Sequence, residues 1–304
     1  MKRRVIPTFL ITLLLCGVAE TVFGQFQVTY PNYMVNDYFY NPAIAGSKPI
    51  NPARITIRRQ WMGVVKAPQQ HSLTFDGLLF QYRIGMGVGL YNQTIGPASL
   101  NLFNYSWNYR VPFSANSMLS FGVAGDIAQY VINHDLIELE DPNDPVLQNG
   151  FRRAYLPDAS AGLYLYSTPL NAHKYFLGVS ALHLLDTQKD LPWYENQLDA
   201  PTLKRTFYAM AGYKIKMGNK LGLEPSGVFF TDNPEKPEDF GYNINGKISW
   251  NDSLWVGVSY QAERSVTAFL SFVVGRMNIT YSYEMSLSDI QQYSYATHEL
   301  SLAL

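Results

Sequence analysis

Alternation constrains this chain more than any other feature. From Met277 to Met285 the odd positions Met277, Ile279, Tyr281, Tyr283 and Met285 are apolar or aromatic, and Asn278, Thr280, Ser282 and Glu284 fill the even ones. Phe103, Tyr105, Trp107, Tyr109 and Val111 alternate in the same way with Asn104, Ser106, Asn108 and Arg110. Ile84, Met86, Val88 and Leu90 alternate with Gly85, Gly87 and Gly89. A period of two sends successive side chains to opposite faces, so each segment is a strand with one apolar face and one polar or small face. After Pro52 about fourteen such segments follow one another with almost no helical period between them. Most run about nine to thirteen residues, long for a soluble strand and right for a tilted strand that crosses a bilayer.

The gaps alternate too: long connections, notably those near 132–157 and 184–204, fall at one end of the strand array and short turns at the other. A soluble sandwich has no reason to sort its loops in this way, whereas an outer-membrane barrel does. The pattern predicts an all-β fold, a transmembrane antiparallel up-and-down β-barrel of about fourteen strands over 53–304. An even strand number puts both termini on one side, the periplasmic side if short turns are periplasmic. Residues 1–24 read as a signal peptide: basic Lys2-Arg3-Arg4, an apolar run to Ala19, and Val22-Phe23-Gly24 before Gln25. Leu15 before Cys16 is a poor match to a lipoprotein site, and cleavage after Gly24 leaves a chain with no cysteine. Residues 25–52 form a turn-rich stretch that would plug or dock beneath the barrel.

Charged residues are only 15% of the chain and the net charge is −1, so no electrostatic case exists for nucleic acid. By alternation Arg54, Arg58, Asp76, Arg110, Asp126, Lys214, Lys216, Glu224, Lys247 and Glu284 point away from the apolar face. Facing lipid, an Arg or Lys at mid-depth would cost roughly 2–4 kcal/mol, so these charges are expected to line a lumen. The bland reading is a packed polar interior; the sharper one is a selective path, with Gly85, Gly87 and Gly89 marking a widened lumen.

Catalytic chemistry finds little support. The five histidines are scattered, without HExxH spacing, and no GxSxG elbow or phosphate-binding glycine loop occurs. His71 and Ser72 precede Asp76 on one strand, but as neighbours they point to opposite faces, which is poor geometry for a nucleophile and its base. The chain therefore reads as non-enzymatic and without a cofactor. One loop gathers Glu138, Glu140, Asp141 and Asp144 ahead of Arg152 and Arg153, a weak calcium candidate over 138–144 and otherwise a solvated or partner-binding loop. Trp193 and Tyr194 in the next long gap are further partner-contact candidates.

Several short stretches carry a resemblance. They are Tyr40-Asn-Pro-Ala-Ile-Ala-Gly-Ser47, Arg59-Gln-Trp-Met-Gly63, Asn92-Gln-Thr-Ile-Gly-Pro97, Pro157-Asp-Ala-Ser-Ala-Gly162 and Thr297-His-Glu299. In order and spacing these resemble the PorP/SprF family, with Ile44 where the family motif has Tyr. The motif positions include Asn41, Pro42, Ala43, Gly46, Ser47, Trp61, Gly96 and Pro97. The resemblance implies an outer-membrane component of the type IX secretion system of Bacteroidota. Its expected partners are outer-membrane lipid, the periplasmic and lipoprotein parts of that machine, and large cargo with a type IX sorting domain, often gliding adhesins. The family brings no catalytic residues to transfer. A channel or a transporter of hydrophobic substrates remains the alternative.

Overall fold

The computed structural model describes residues 30, 32–48, 52–79, 83–133, 136–137, 153–168, 174–185, 203–236 and 239–304. The segment 1–24, expected to be a leader, lies outside them, as do Glu138, Glu140, Asp141, Asp144, Arg152, Trp193 and Tyr194. The described chain forms fourteen antiparallel strands: β1 (Ala53–Met62), β2 (Gln69–Leu79), β3 (Ile84–Ile95), β4 (Ala98–Ser114), β5 (Ser117–Ile132), β6 (Arg153–Ser167), β7 (Lys174–Leu182), β8 (Thr206–Met217), β9 (Leu221–Thr231), β10 (Gly241–Trp250), β11 (Leu254–Gln261), β12 (Ser265–Val274), β13 (Met277–Ser286) and β14 (Ala296–Ala303). Each pairs with its sequence neighbours, and β1 pairs with β14, so the sheet closes on itself. Closure removes the free edges that would leave backbone groups unpaired in hydrocarbon. The seam runs from Arg54 opposite Ala303 to Arg59 opposite His298, then shifts register at a bulge beside Trp61, whose φ is +50°.

The alternation resolves into an inside-out protein. Thr56, Ser72, Thr74, Ser106, Asn108, Ser120, Ser271 and Ser301 are buried in the interior. Their sequence neighbours Ile55, Ile57, Leu73, Phe75, Trp107, Phe121, Leu270 and Leu300 are exposed on the outer wall. An apolar surface of that extent matches a bilayer and would associate in water. Arg54, Arg58, Asp76, Arg110 and Asp126 are buried on the inner face, and Glu224, Lys247 and Glu284 lie half-buried on the same face. The long connections leave one rim, which also holds the tight β3–β4 and β11–β12 turns; the other rim carries only short connections, with the start of β1 and the end of β14.

Two strands are longer than the pattern predicts. β6 begins at Arg153, not near 158, so Arg153 is a strand residue instead of a loop residue. β4 runs to Ser114 instead of ending near 111. Both extensions pass a proline, Pro157 and Pro112, which read in sequence as strand breakers. Ala159 O accepts from Leu184 N, so the backbone groups of alternate residues, Pro157 included, face the β7 side. The described pairing with β7 begins only at Ala161, and the missing N–H of Pro157 costs no ladder bond there.

Candidate functional site

The lumen is occupied by the chain itself. Residue 30 and residues 32–48 run through the barrel from the level of His183 to the rim at Asp76 and Arg110, then join β1. Short-range turns shape the segment. Asn36 N donates to Asn32 O at 2.9 Å, a first 3₁₀ turn covers Tyr38–Tyr40, and a second covers Pro42–Ile44. Asn41 caps the second turn, its Oδ1 accepting from Ala43 N at 2.9 Å, while Pro42 at the first helical position needs no donor. Gly46, at φ +70°, then turns the chain so that Ser47 N reaches Ile44 O at 2.8 Å.

Asn41 also ties the segment to the wall. Its Nδ2 donates to Leu163 O at 3.0 Å and to Val179 O at 3.2 Å, bridging β6 and β7. Such an approach requires bare backbone opposite. A Cβ on Gly162 would lie 2.1 Å from Asn41 Oδ1, and one on Gly122 would lie 2.3 Å from Ala43 N. The glycines of β3 serve the same end: Cβ atoms on Gly85, Gly87 and Gly89 would meet Ala45 O, Tyr38 and Phe39 at 2.2, 2.2 and 2.8 Å. The space they leave is filled by the segment.

Polar wall residues complete the seat. Asn108 Nδ2 donates to Ala45 O at 2.7 Å, Asp76 accepts from Gly46 N at 2.9 Å, and Arg110 donates to Gly46 O at 3.2 Å. Arg54 Nη1 holds the other oxygen of Asp76 at 3.3 Å. Tyr38 OH donates to Asn104 Oδ1 at 2.6 Å, and Asn104 donates to Asp126 at 2.6 Å. Higher in the lumen, His183 bridges Asp158 at 3.0 Å and the hydroxyl of Tyr30 at 3.1 Å. Tyr30 stacks on Phe39 at 5.2 Å. At the lower rim Lys48 pairs with Asp37; burial opposes that carboxylate, but Lys48 outweighs it and holds Asp37 below its usual range.

The opposite wall is different. Arg58 of β1 pairs with Glu284 at 2.8 Å and Glu299 at 3.3 Å. Beyond this cluster, towards β8–β11, the segment leaves space: a cavity of about 330 Å³ near the short-connection rim and another of about 80 Å³ above it, both bordered by Tyr33. Met34 reaches across, its Cε 3.4 Å from where a Cβ on Gly257 would sit.

Of the motif residues, Asn41, Pro42 and Ala43 are buried in the lumen with Gly46, and Ser47 lies at its lower end. Trp61 is the next-to-last residue of β1, and Gly96-Pro97 forms the tight β3–β4 turn, so these three are not part of the plug. Sequence reasoning did not single out Gly122, Gly162, Gly178, Asn108, Asp158 or His183 as its partners. For two of them a signal existed, since Asp158 and Gly162 lie within the quoted Pro157–Gly162 stretch. His71 faces outward and Ser72 inward, so the two do not meet. Among the described residues no three His, Cys, Asp or Glu side chains come together as a metal site.

A polar-lined barrel with its own N-terminal segment seated in the lumen can be set beside known proteins. The family model for the type IX secretion system membrane protein PorP/SprF matches residues 22–304. This chain belongs to the PorP/SprF family. It is an outer-membrane β-barrel of the type IX secretion system. A search of curated proteins gives no match. Among solved structures the chain is similar to a Pseudomonas aeruginosa FadL homologue, at 10% identity and TM-score 0.48, over 92% of this chain and 99% of that one. It is also similar to Acinetobacter baumannii Omp33, at 7% identity and TM-score 0.46, over 84% and 97%. A KdgM porin aligns at 6% identity and TM-score 0.43, over 83% and 97%.

Proposed function

We propose that this PorP/SprF barrel is a non-enzymatic docking accessory that supports export or surface attachment of particular large cargo proteins, such as gliding adhesins, and does not conduct. The observation that carries this reading is the seat of Asn41. One side chain caps its own turn and bridges two wall strands through a gap that exists only because Gly162 and Gly178 lack side chains. A segment held in that way belongs to the resting structure, and a diffusion pore would gain nothing from it. The long connections β5–β6 and β7–β8 leave a single rim, which suits contact with cargo outside the cell and puts the start of β1 and the end of β14 on the periplasmic side. Residues 1–24 act as the export signal in this scheme, 25–52 as the plug with its leader-proximal arm, and 53–304 as the barrel.

Single-channel recording of the purified barrel in planar bilayers tests the sealed lumen. Silence or brief flicker is expected; a steady, large, ungated current would sink the accessory reading. Affinity isolation from native outer membranes should then recover a large surface protein with a type IX sorting domain.

A further inference from the structure

The larger lumenal cavity has a chemistry that neither the plug nor the barrel needs. Its floor is aromatic: Tyr164 stacks on Tyr166 at 5.3 Å and on Phe176 at 6.0 Å. Its wall is cationic on balance: Lys48 of the plug and Lys174, Lys214 and Lys247 from β7, β8 and β10 stand against two carboxylates, Asp37 and Glu224. Lys174 and Lys214 stand directly opposite each other in the β7–β8 ladder, and both side chains point inward. Like charges in register oppose strand pairing, so the fold carries this pair at a cost. Lys214 donates to Asp252 at 2.6 Å and Lys247 to Glu224 at 3.0 Å. The Lys174 ammonium has no ion pair among the described residues, and the preceding sequence, Thr168-Pro-Leu-Asn-Ala-His173, contains no carboxylate. The hydrogen bond from Lys214, with the charges of Lys174 and Lys216 behind it, holds the exposed Asp252 below its usual range. One carboxylate thus answers three ammonium groups. Membrane phosphates do not account for the excess, because these lysines face the lumen and not the lipid wall.

We propose that this cavity, at the rim where β1 starts and β14 ends, is a binding site for an extended acidic peptide segment of a partner protein. Its carboxylates would meet the Lys174–Lys214 pair, and an intervening aromatic or apolar side chain would lie on the Tyr164–Tyr166–Phe176 floor. A volume of about 330 Å³ holds a few side chains, not a folded domain. The site deepens the accessory reading and rests on it, since it supplies a contact for a partner at the mouth opposite the cargo rim.

The test uses the full barrel in lipid nanodiscs and a fluorescein-labelled Glu-Phe-Glu-Phe-Glu peptide, with Lys-Phe-Lys-Phe-Lys as its counterpart, read by fluorescence anisotropy. The acidic peptide should bind and the basic one should not. K174Q/K214Q should weaken binding about tenfold or more, with folding checked by heat-modifiable gel mobility. If the double variant fails to fold, K174Q alone serves, with a loss of about threefold expected. Three results would overturn the site: no binding of the acidic peptide, undiminished binding by the folded variants, or displacement by inorganic phosphate at the peptide's own concentration. A conducting wild-type barrel in planar bilayers sinks the accessory reading itself. A sealed barrel that ignores the peptide sinks only the site.

Discussion

The two halves of the lumen wall solve opposite problems. From β3 to β7 the wall against the plug is rich in inward glycine, serine and asparagine: plug backbone lies against Gly85 and Gly122 and the Asn41 side chain against Gly162, with the Tyr164–Tyr166–Phe176 cluster set apart near the lower rim. From β8 to β11 they include Lys214, Glu224, Lys247 and Trp255, long side chains that leave cavities between themselves and the plug. The first half is a seat and the second a vestibule. Small residues matter where a fixed partner lies against them; charged and aromatic ones suit a surface that still has something to meet.

Substitutions that fill the seat should break this contrast most sharply. Gly162→Leu and Gly122→Leu drive side-chain atoms into Asn41 and Ala43, and Gly46→Val adds a Cβ 2.7 Å from Gly77 O at a positive φ. Each is expected to displace the plug, raising bilayer conductance from silence to steady openings. Overpacking of this kind costs about 1–3 kcal/mol or more. Gly257→Ala on the far wall would meet Gly246 O at 3.1 Å, the Met34 tip at 3.4 Å and Phe269 at 3.6 Å, and should leave the barrel closed. Equal conductance in the two sets would erase the distinction.

Ion pairs should show the same asymmetry at smaller scale. Asp76→Ala strands the buried Arg54 and removes the acceptor of Gly46 N, a loss of about 3–5 kcal/mol in guanidinium unfolding of the detergent-solubilised barrel. Glu224→Ala in the wetter vestibule breaks a pair whose side chains are 21% and 23% exposed, and should cost about 0–1 kcal/mol. A Glu224 variant as unstable as the Asp76 variant would show that the vestibule is as dry as the seat.

Asn41→Ala removes a turn cap and two donors at once, for about 1–3 kcal/mol. Asn41→Asp keeps the cap and loses the donors. If protease sensitivity of the N-terminal segment is alike in Asn41→Asp and wild type, the bridge to β6 and β7 contributes nothing. The smallest effect is expected at Lys174→Gln, where relief of the Lys214 repulsion should leave stability unchanged or raise it by about 0.2–1 kcal/mol.

Sequence alone determined the barrel. Period two is a local property, set by which way each side chain leaves the backbone, so segments such as Phe103–Val111 and Met277–Met285 declare their two faces without tertiary information. The same rule pointed the charges at Arg54, Asp76 and Lys247 inward, and the sorted gaps distinguished the two rims. It stopped β4 short of Pro112 and started β6 after Pro157, because whether the N–H missing from Pro157 matters depends on how far the neighbouring strand reaches. The seat was decided by tertiary structure. In sequence Gly85, Gly87 and Gly89 are only a small-residue face, equally fit for an open lumen, and Asn41 is only a turn former. Gly122 and Gly162 lie far from Asn41 along the chain, and barrel closure at β1–β14 brings all of them around one axis. The lysine excess is non-local for the same reason: Lys174 and Lys214 become a pair only when β7 and β8 are set in register.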